Sequence, residues 1–330
     1  MSNLVLALEI GGTKLQAALG THDGKIITRE RGAAPASEGA QAILSWFDES
    51  VPKLLNEAQS RGARVSGIGV GFGGPIETAT GKALVSHQVG GWSDYPLKQY
   101  FESRFGVPVF VGNDSSVSCW GEYVCGAGKG TRTFCYMNIG SGIGGGFVIN
   151  GMLHDGQGFG AAEIGHTYIP DWTNFTPGGF NKLENLCSGW SIEKRVRASA
   201  RLAPGSPLHR LCDGDPQRIT CAILGEAARA GDPFARNELN DIAQGIGVAL
   251  SNVITLIHPE RIAIGGGVSL LGDVLLNPIR GHVATLCFGA FRGKYEIVPC
   301  ALGEDVVLVG CLLLAPSESS FPSSGLGTHS

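Results

Sequence analysis

The sequence predicts an α/β protein of two domains with mixed sheets, and three observations point there. At 330 residues, and at roughly 100–200 residues per domain, the chain is about two domains long. Short apolar runs alternate with helically spaced segments in the order βββαβαβ, resumed after residue 134. The pattern strand, glycine turn, strand occurs twice, at 4–19 and 134–149, which suggests an internal duplication.

Residues 4–10 (LVLALEI) form an apolar run that ends on Gly11-Gly12-Thr13-Lys14, and 15–19 (LQAAL) resume it. Residues 37–60 carry Ile43, Phe47, Val51, Leu54, Leu55 and Ala58 at helical spacing. A buried strand, 65–71 (VSGIGVG), leads to Phe72-Gly73-Gly74-Pro75, followed by a helix at 97–105, a strand at 107–111 and a helix from Ser115. Phe134 to Ile139 then run into GSGIGGG (140–146) and Phe147-Val148-Ile149. Beyond a polar stretch at 150–165 and an aromatic loop at 168–182, helices are expected around 188–202, 218–230 and 234–257. The last of these opens on Asp232-Pro233, an N-cap followed by proline at the first helical position. Arg261 to Ile264 form a strand into Gly265-Gly266-Gly267, and 304–315 look helical. The expected division is a small N-terminal α/β domain, 1–114, joined by the helix near 304–315, and a large α/β domain, 115–303. A Ser/Pro/Gly-rich tail, 316–330, is expected to be disordered.

Hydrophobic residues make up 43% and charged residues 16%, a globular balance well away from a disordered chain. A net charge of −4 supplies no basic field, so nucleic acid is not an expected partner. Nine cysteines without a Cys-x-x-Cys pair, and no secretory segment, read as reduced thiols in a cytoplasmic protein. No apolar stretch reaches the ~20 residues of a membrane span, so no membrane contact is expected.

The turn Gly11-Gly12-Thr13-Lys14 after Glu9 offers backbone N–H groups, a hydroxyl and a cation, the chemistry a phosphate needs. Alone it is equally a glycine-rich hairpin with an exposed lysine. Gly140, Gly142 and Gly145 satisfy G-x-G-x-x-G, but a strand follows them where a dinucleotide fingerprint needs a helix. Asn113-Asp114 directly follow a strand, where open α/β sheets place ligand-contacting groups. Asp114 is there a candidate base, or else the N-cap of the next helix. Glu163-x-x-His166 pairs an acceptor with an imidazole at a spacing that suits adjacent sugar hydroxyls.

In order, these pieces resemble the ROK family (repressors, open reading frames, sugar kinases), whose fold is the two-domain actin/hexokinase/Hsp70-like ATPase fold with ribonuclease H-like duplicated domains. The signature runs from Ile139 to His166 through Gly142, Gly144, Gly146, Phe147, Gly156, Ala162 and Gly165. Outside it lie EIGGTK (9–14), FGGP (72–75), NDSS (113–116), Leu183-Glu184 before Ser188-Gly189, and IGGGV (264–268). The resemblance covers about residues 4–315.

It implies ATP-dependent phosphorylation of a hexose, by default glucose at the 6-hydroxyl, in a cleft between two domains. Fructose and N-acetylhexosamines are the alternative substrates. By this resemblance Asp114 takes the proton of the attacking hydroxyl. Asn113, Glu163, His166 and Glu184 hold the other sugar hydroxyls, and Gly73 and Gly74 approach the ring. Gly11, Gly12, Thr13 and Lys14, with Gly140, Ser141 and Gly142, flank the ATP phosphates. Gly265, Gly266, Gly267 and Val268 line the adenosine pocket. Glu9 replaces the aspartate of many members and is expected to approach Mg2+ through water. Many members hold the loop after the histidine with zinc on a C-x-C-G-x-x-G-C cluster, but 167–183 contains no cysteine, so no zinc site is expected. Packing by Tyr168, Trp172, Phe175 and Phe180 is expected in its place. A homodimer is the expected assembly. A sugar-responsive regulator is the competing class. Its helix-turn-helix would stand before the first strand, where this sequence has only Met1-Ser2-Asn3.

Overall fold

A computed structural model describes residues 3–34, 38–86, 89–173, 178–200 and 202–317, and Phe175 and the tail beyond Ser317 lie outside them. The chain forms two compact units. One contains the residues up to Gly121, Asp155–Gly160 and the segment from Asp305 onward, and the other contains Glu122–His154 and Ala161–Glu304.

The first unit is built on β1 (Asn3–Ile10), β2 (Lys14–Gly20), β3 (Ile26–Ala33), β4 (Arg64–Phe72), the small hairpin β5 (Ile76–Glu77) and β6 (Lys82–Ala83), and β7 (Val109–Asn113). Its main sheet has the order β3-β2-β1-β4-β7. The first three strands pair antiparallel, and β1, β4 and β7 pair parallel. The third strand of the expected order, to which the sequence pattern assigns no residues, is thus β3. It is half-exposed along its length and lies at the sheet edge, so it lacks the apolar run that marks a buried strand.

Helices α1 (Gly39–Ser60) and α2 (Leu97–Phe105) belong to this unit, and α3 (Asp114–Cys125) follows β7 without a loop. The two faces of β4 explain its sequence. Ile68, Val70 and Phe72 join one core cluster with Ile43, Leu44 and Phe47 of α1. The alternate positions, Gly67, Gly69 and Gly71, turn the other way. A Cβ on Gly69 would stand 2.0 Å from the Cys311 carbonyl oxygen, and one on Gly71 would stand 2.6 Å from Val307 Cγ1. Only glycine admits the C-terminal helix, Val306–Leu314, so close to the sheet. Arg29 of β3 forms a bidentate pair with Asp305 just before that helix, with Nη2 2.9 Å from Oδ2.

The second unit repeats the sheet. Its strands are β8 (Phe134–Ile139), β9 (Ile143–Ile149), β10 (Met152–His154), the separate pair β11 (Tyr168–Pro170) and β12 (Phe180–Lys182), β13 (Arg261–Gly265) and β14 (Glu296–Pro299). The order β10-β9-β8-β13-β14 has the same antiparallel and parallel pairings, position for position, as the first sheet. Both glycine turns therefore join the first strand of a sheet to its second. The glycine run 140–146 divides here: only Gly140–Gly142 turn, and from Ile143 onward the chain is already strand β9, paired with β8. Helices α4 (Leu183–Cys187), α5 (Gly189–Ser199), α6 (Pro207–Leu211), α7 (Cys221–Arg229), α8 (Pro233–Ile257) and α9 (Asp273–Leu286) enclose the second core. Asp232 caps α8, with Oδ1 accepting from Ala235 N–H at 3.1 Å, and its other oxygen accepts Leu208 N–H at 3.0 Å. Among the described residues no helix is long and apolar enough to cross a membrane, and all nine cysteines are free.

Candidate functional site

In the first unit the turn Gly11–Lys14 is closed by Gly11 N–H donating to the Lys14 carbonyl at 3.1 Å, while Ala34 N–H donates to the Thr13 carbonyl at 3.1 Å. Beneath it Glu9, buried in β1, faces its cross-strand partner Gln16, whose Nε2 donates to Oε2 at 2.7 Å. The Lys14 ammonium lies 3.2 Å from Glu9 Oε1, so this lysine leans back over the strand. Burying a carboxylate is costly unless it is paired and hydrogen-bonded, and Lys14 and Gln16 meet that need.

Asp114 is the first residue of α3. Its neighbour takes the larger share of the capping: Asn113 Oδ1 accepts from Ser115 N–H at 3.0 Å and Ser116 N–H at 3.1 Å. Asn113 Nδ2 donates to the Gly74 carbonyl at 3.1 Å and so ties the FGGP turn to the helix start. Asp114 Oδ1 accepts from Ser115 N–H at 2.7 Å, at the positive end of the helix dipole. Its Oδ2 looks toward Gly73, where a Cβ would come within 3.5 Å of it.

In the second unit the turn Gly140–Gly142 is pinned on three sides. Gly140 N–H donates to the Gly142 carbonyl at 2.9 Å, and Gly189 N–H, at the start of α5, donates to the Gly140 carbonyl at 2.7 Å. Glu184 in α4 accepts Ile143 N–H on Oε2 at 2.7 Å. A Cβ on Gly142 would stand 2.6 Å from that oxygen. The turn Gly265–Val268 ends β13 beside it: a Cβ on Gly189 would lie 3.0 Å from the Gly140 carbonyl and 3.2 Å from Val268 Cγ2. Gly266 takes φ +84° and backs onto the Ile139 carbonyl, whereas the space beside Gly267 is open.

Glu163 precedes a single 3-10 turn, Ile164–His166, that His166 ends, and both are exposed. Gly165 in that turn packs on the Ile143 carbonyl, so Glu163, His166 and Glu184 are all anchored at the first residue of β9. Ala162, just before Glu163, sits at φ +62°, a strained conformation for a residue with a Cβ and one that gathers at functional sites. The pattern of the sequence gives no sign of Lys182, whose Nζ lies 3.1 Å from His166 Nδ1. Only the pairing of two three-residue strands brings it there, with Tyr168 opposite Lys182.

The aromatic loop corrects one expectation. Tyr168 and Phe180 are 64% and 66% exposed, because alternation along β11 and β12 turns them outward while Ile169 is buried. Trp172 does pack: a Cβ on Gly245 of α8 would meet its ring at 2.9 Å, and the Arg195 guanidinium lies 5.6 Å from the ring centre. Cys187, at the end of α4, is pushed up to about 12 by burial and is an inert core thiol. Among the described residues no group of three or more His, Cys, Asp or Glu is placed to hold a metal ion.

A family model described as the ROK family matches residues 5–318. The glucokinase of Streptomyces coelicolor is 31% identical over 94% of this chain and 97% of its own length. The xylose repressor of Caldicellulosiruptor bescii is 24% identical over 96% of this chain and 79% of its own length. Among solved structures, a ROK family glucokinase from Streptomyces griseus in complex with glucose and AMPPNP is 32% identical. That likeness covers 94% of this chain and 99% of the other, with a TM-score of 0.80.

Proposed function

This chain belongs to the ROK family and has the actin/hexokinase/Hsp70-like ATPase fold, and from that premise we propose that it is an ATP-dependent hexose kinase acting on the 6-hydroxyl of glucose. Its relatives include a glucokinase and a glucokinase structure holding glucose and AMPPNP, and the last supports ATP as the phosphoryl donor.

Asp114 accepts the proton of the attacking hydroxyl as general base. The observation that carries this reading is the start of α3: Asn113 Oδ1 accepts both Ser115 and Ser116 N–H, Asp114 shares the first of these through Oδ1 alone, and its Oδ2 faces Gly73. Gly73, with no side chain, leaves room for a sugar ring to approach Asp114 Oδ2, and Gly74 holds the turn through Asn113. Glu163 and Glu184 accept hydrogen bonds from other sugar hydroxyls, with His166 beside them, and Asn113 has one further N–H to offer.

The backbone of Gly11, Gly12 and Thr13 and that of Gly140, Ser141 and Gly142 take the ATP phosphates, with Lys14 adding charge. Gly265, Gly266, Gly267 and Val268 line the adenosine, where the open space beside Gly267 leaves room for it. Phosphoryl transfer asks mostly for positioning and neutralised charge, and magnesium supplies the latter when bound. Glu9 is a hard oxygen donor near the end of β1, just before the first glycine turn, the donor type magnesium takes, and it would hold that ion through water.

The test is ADP release from Mg·ATP over a panel of glucose, fructose, mannose and N-acetylhexosamines, with a no-sugar control and Asp114→Asn alongside. Turnover with glucose, absent in the control and the variant, supports the reading. Release that ignores sugar points to a plain ATPase. Sugar binding without turnover points to a regulator, as the xylose repressor relative would suggest.

A further inference from the structure

His166 is exposed, and an exposed imidazole left alone exchanges its proton between two nitrogens. Its surroundings decide otherwise. The Lys182 ammonium stands 3.1 Å from Nδ1. A lysine ammonium has three donors and no acceptor, so Nδ1 accepts and the ring proton resides on Nε2.

Lys182 is itself held in place. It closes β12, with Tyr168 opposite it in β11, and Asn181 Oδ1 accepts its backbone N–H at 2.9 Å. Asn181 Nδ2 in turn donates to Asp171 Oδ2 at 3.2 Å, and the next residue, Leu183, donates its N–H to the Thr167 carbonyl at 2.9 Å. Two positions past Lys182, Glu184 holds the start of β9. One short segment thus sets both the imidazole and the second carboxylate.

We infer that Lys182 is a positioning residue that fixes the Nε2–H tautomer of His166, so that His166 donates to a sugar hydroxyl oxygen while Glu163 accepts the hydrogen bond of that hydroxyl. This rests on the hexose-kinase reading for the ligand, but not for the tautomer. The polarity makes the pair select a group that accepts and donates at once, as a hydroxyl does, over an ether or deoxy position. Rejecting analogues that lack a hydrogen-bonding group is where such sites discriminate most strongly.

The experiment has two arms. In the free full-length protein with 15N-labelled histidine, His166 is expected to show an unprotonated Nδ1 and a protonated Nε2, and the Nδ1 resonance is expected to move in Lys182→Met. In steady-state kinetics Lys182→Met is expected to raise the sugar KM roughly 5- to 10-fold, the loss of about one hydrogen bond, with a smaller change in kcat. Lys182→Arg, also donor-only, is expected to recover most of that loss; its failure to do so, with the fold intact, counts against the proposal. A proton on Nδ1 in the wild type overturns it, as does a Lys182→Met protein with both His166 resonances and the sugar KM unchanged. If the wild type binds no hexose, the kinase reading fails, and the tautomer still decides the assignment of Lys182.

Discussion

Glu184 Oε2 accepts the backbone N–H of Ile143 at 2.7 Å, so a carboxylate proposed for the sugar also fixes the residue that follows the second phosphate turn. The two half-sites of the second unit are therefore mechanically one. A change at either is expected to register at the other.

Gly142→Ala tests that link. The new methyl would stand 2.6 Å from Glu184 Oε2, and the flexible carboxylate, not the backbone, would give way. The sugar KM is expected to rise about 10-fold, near 1.4 kcal/mol for a lost charge-assisted hydrogen bond, with little movement of the thermal midpoint. An unchanged sugar KM would uncouple the two.

Asp114→Asn keeps the shape and the acceptor for Ser115 N–H but removes the proposed base. Turnover is expected to fall ~10²–10⁴-fold while calorimetric sugar affinity holds. Near-normal kcat would move the base to another residue.

Trp172→Ala opens a space against Gly245 and frees the Arg195 guanidinium. Because the ring is only partly buried, the expected cost is about 2 kcal/mol by urea titration, below the range for a fully enclosed tryptophan. Dialysis against a chelator is expected to leave the wild-type midpoint where it was. A midpoint that fell on chelation, with stoichiometric zinc by metal analysis, would assign the holding of this loop to a metal.

Asp305 has its carboxyl held below the usual range by the hydrogen bond from Arg29, aided by that residue's charge and by Arg31 and Lys14, against the opposing effect of partial burial. A depressed folded-state value means the contribution is complete above the unfolded value, ~3.9, and is lost as pH falls through the folded one. Stability is therefore expected to drop below about pH 4, and Asp305→Asn to flatten that acid limb. Identical acid unfolding curves for the two proteins would remove the pair from the account.

Both glycine turns, Asn113-Asp114 and Glu163-x-x-His166 were legible because each is a local pattern beside a strongly apolar run. The elements that were not read lack such a signal. β14 is four residues with one buried side chain, and α9 carries Pro278 and Gly281 within its helical run. Nor could spacing separate Asn113 from Asp114, since both are good cap residues and both accept Ser115 N–H; only the further bond from Ser116 N–H to Asn113 distinguishes them. Lys182 was invisible for another reason. Its role depends on which residue stands opposite Tyr168, and that is a matter of register.

The glycine stripe of β4 also sets a timetable. Gly67, Gly69 and Gly71 wait for a helix that begins at Val306, after the whole second unit has been made. At ribosomal speeds of ~5–20 residues per second the nascent first sheet stays uncovered on one face for on the order of ten seconds or more. Its native closure is a late, long-range event, and chaperone occupancy during synthesis should concentrate on that face.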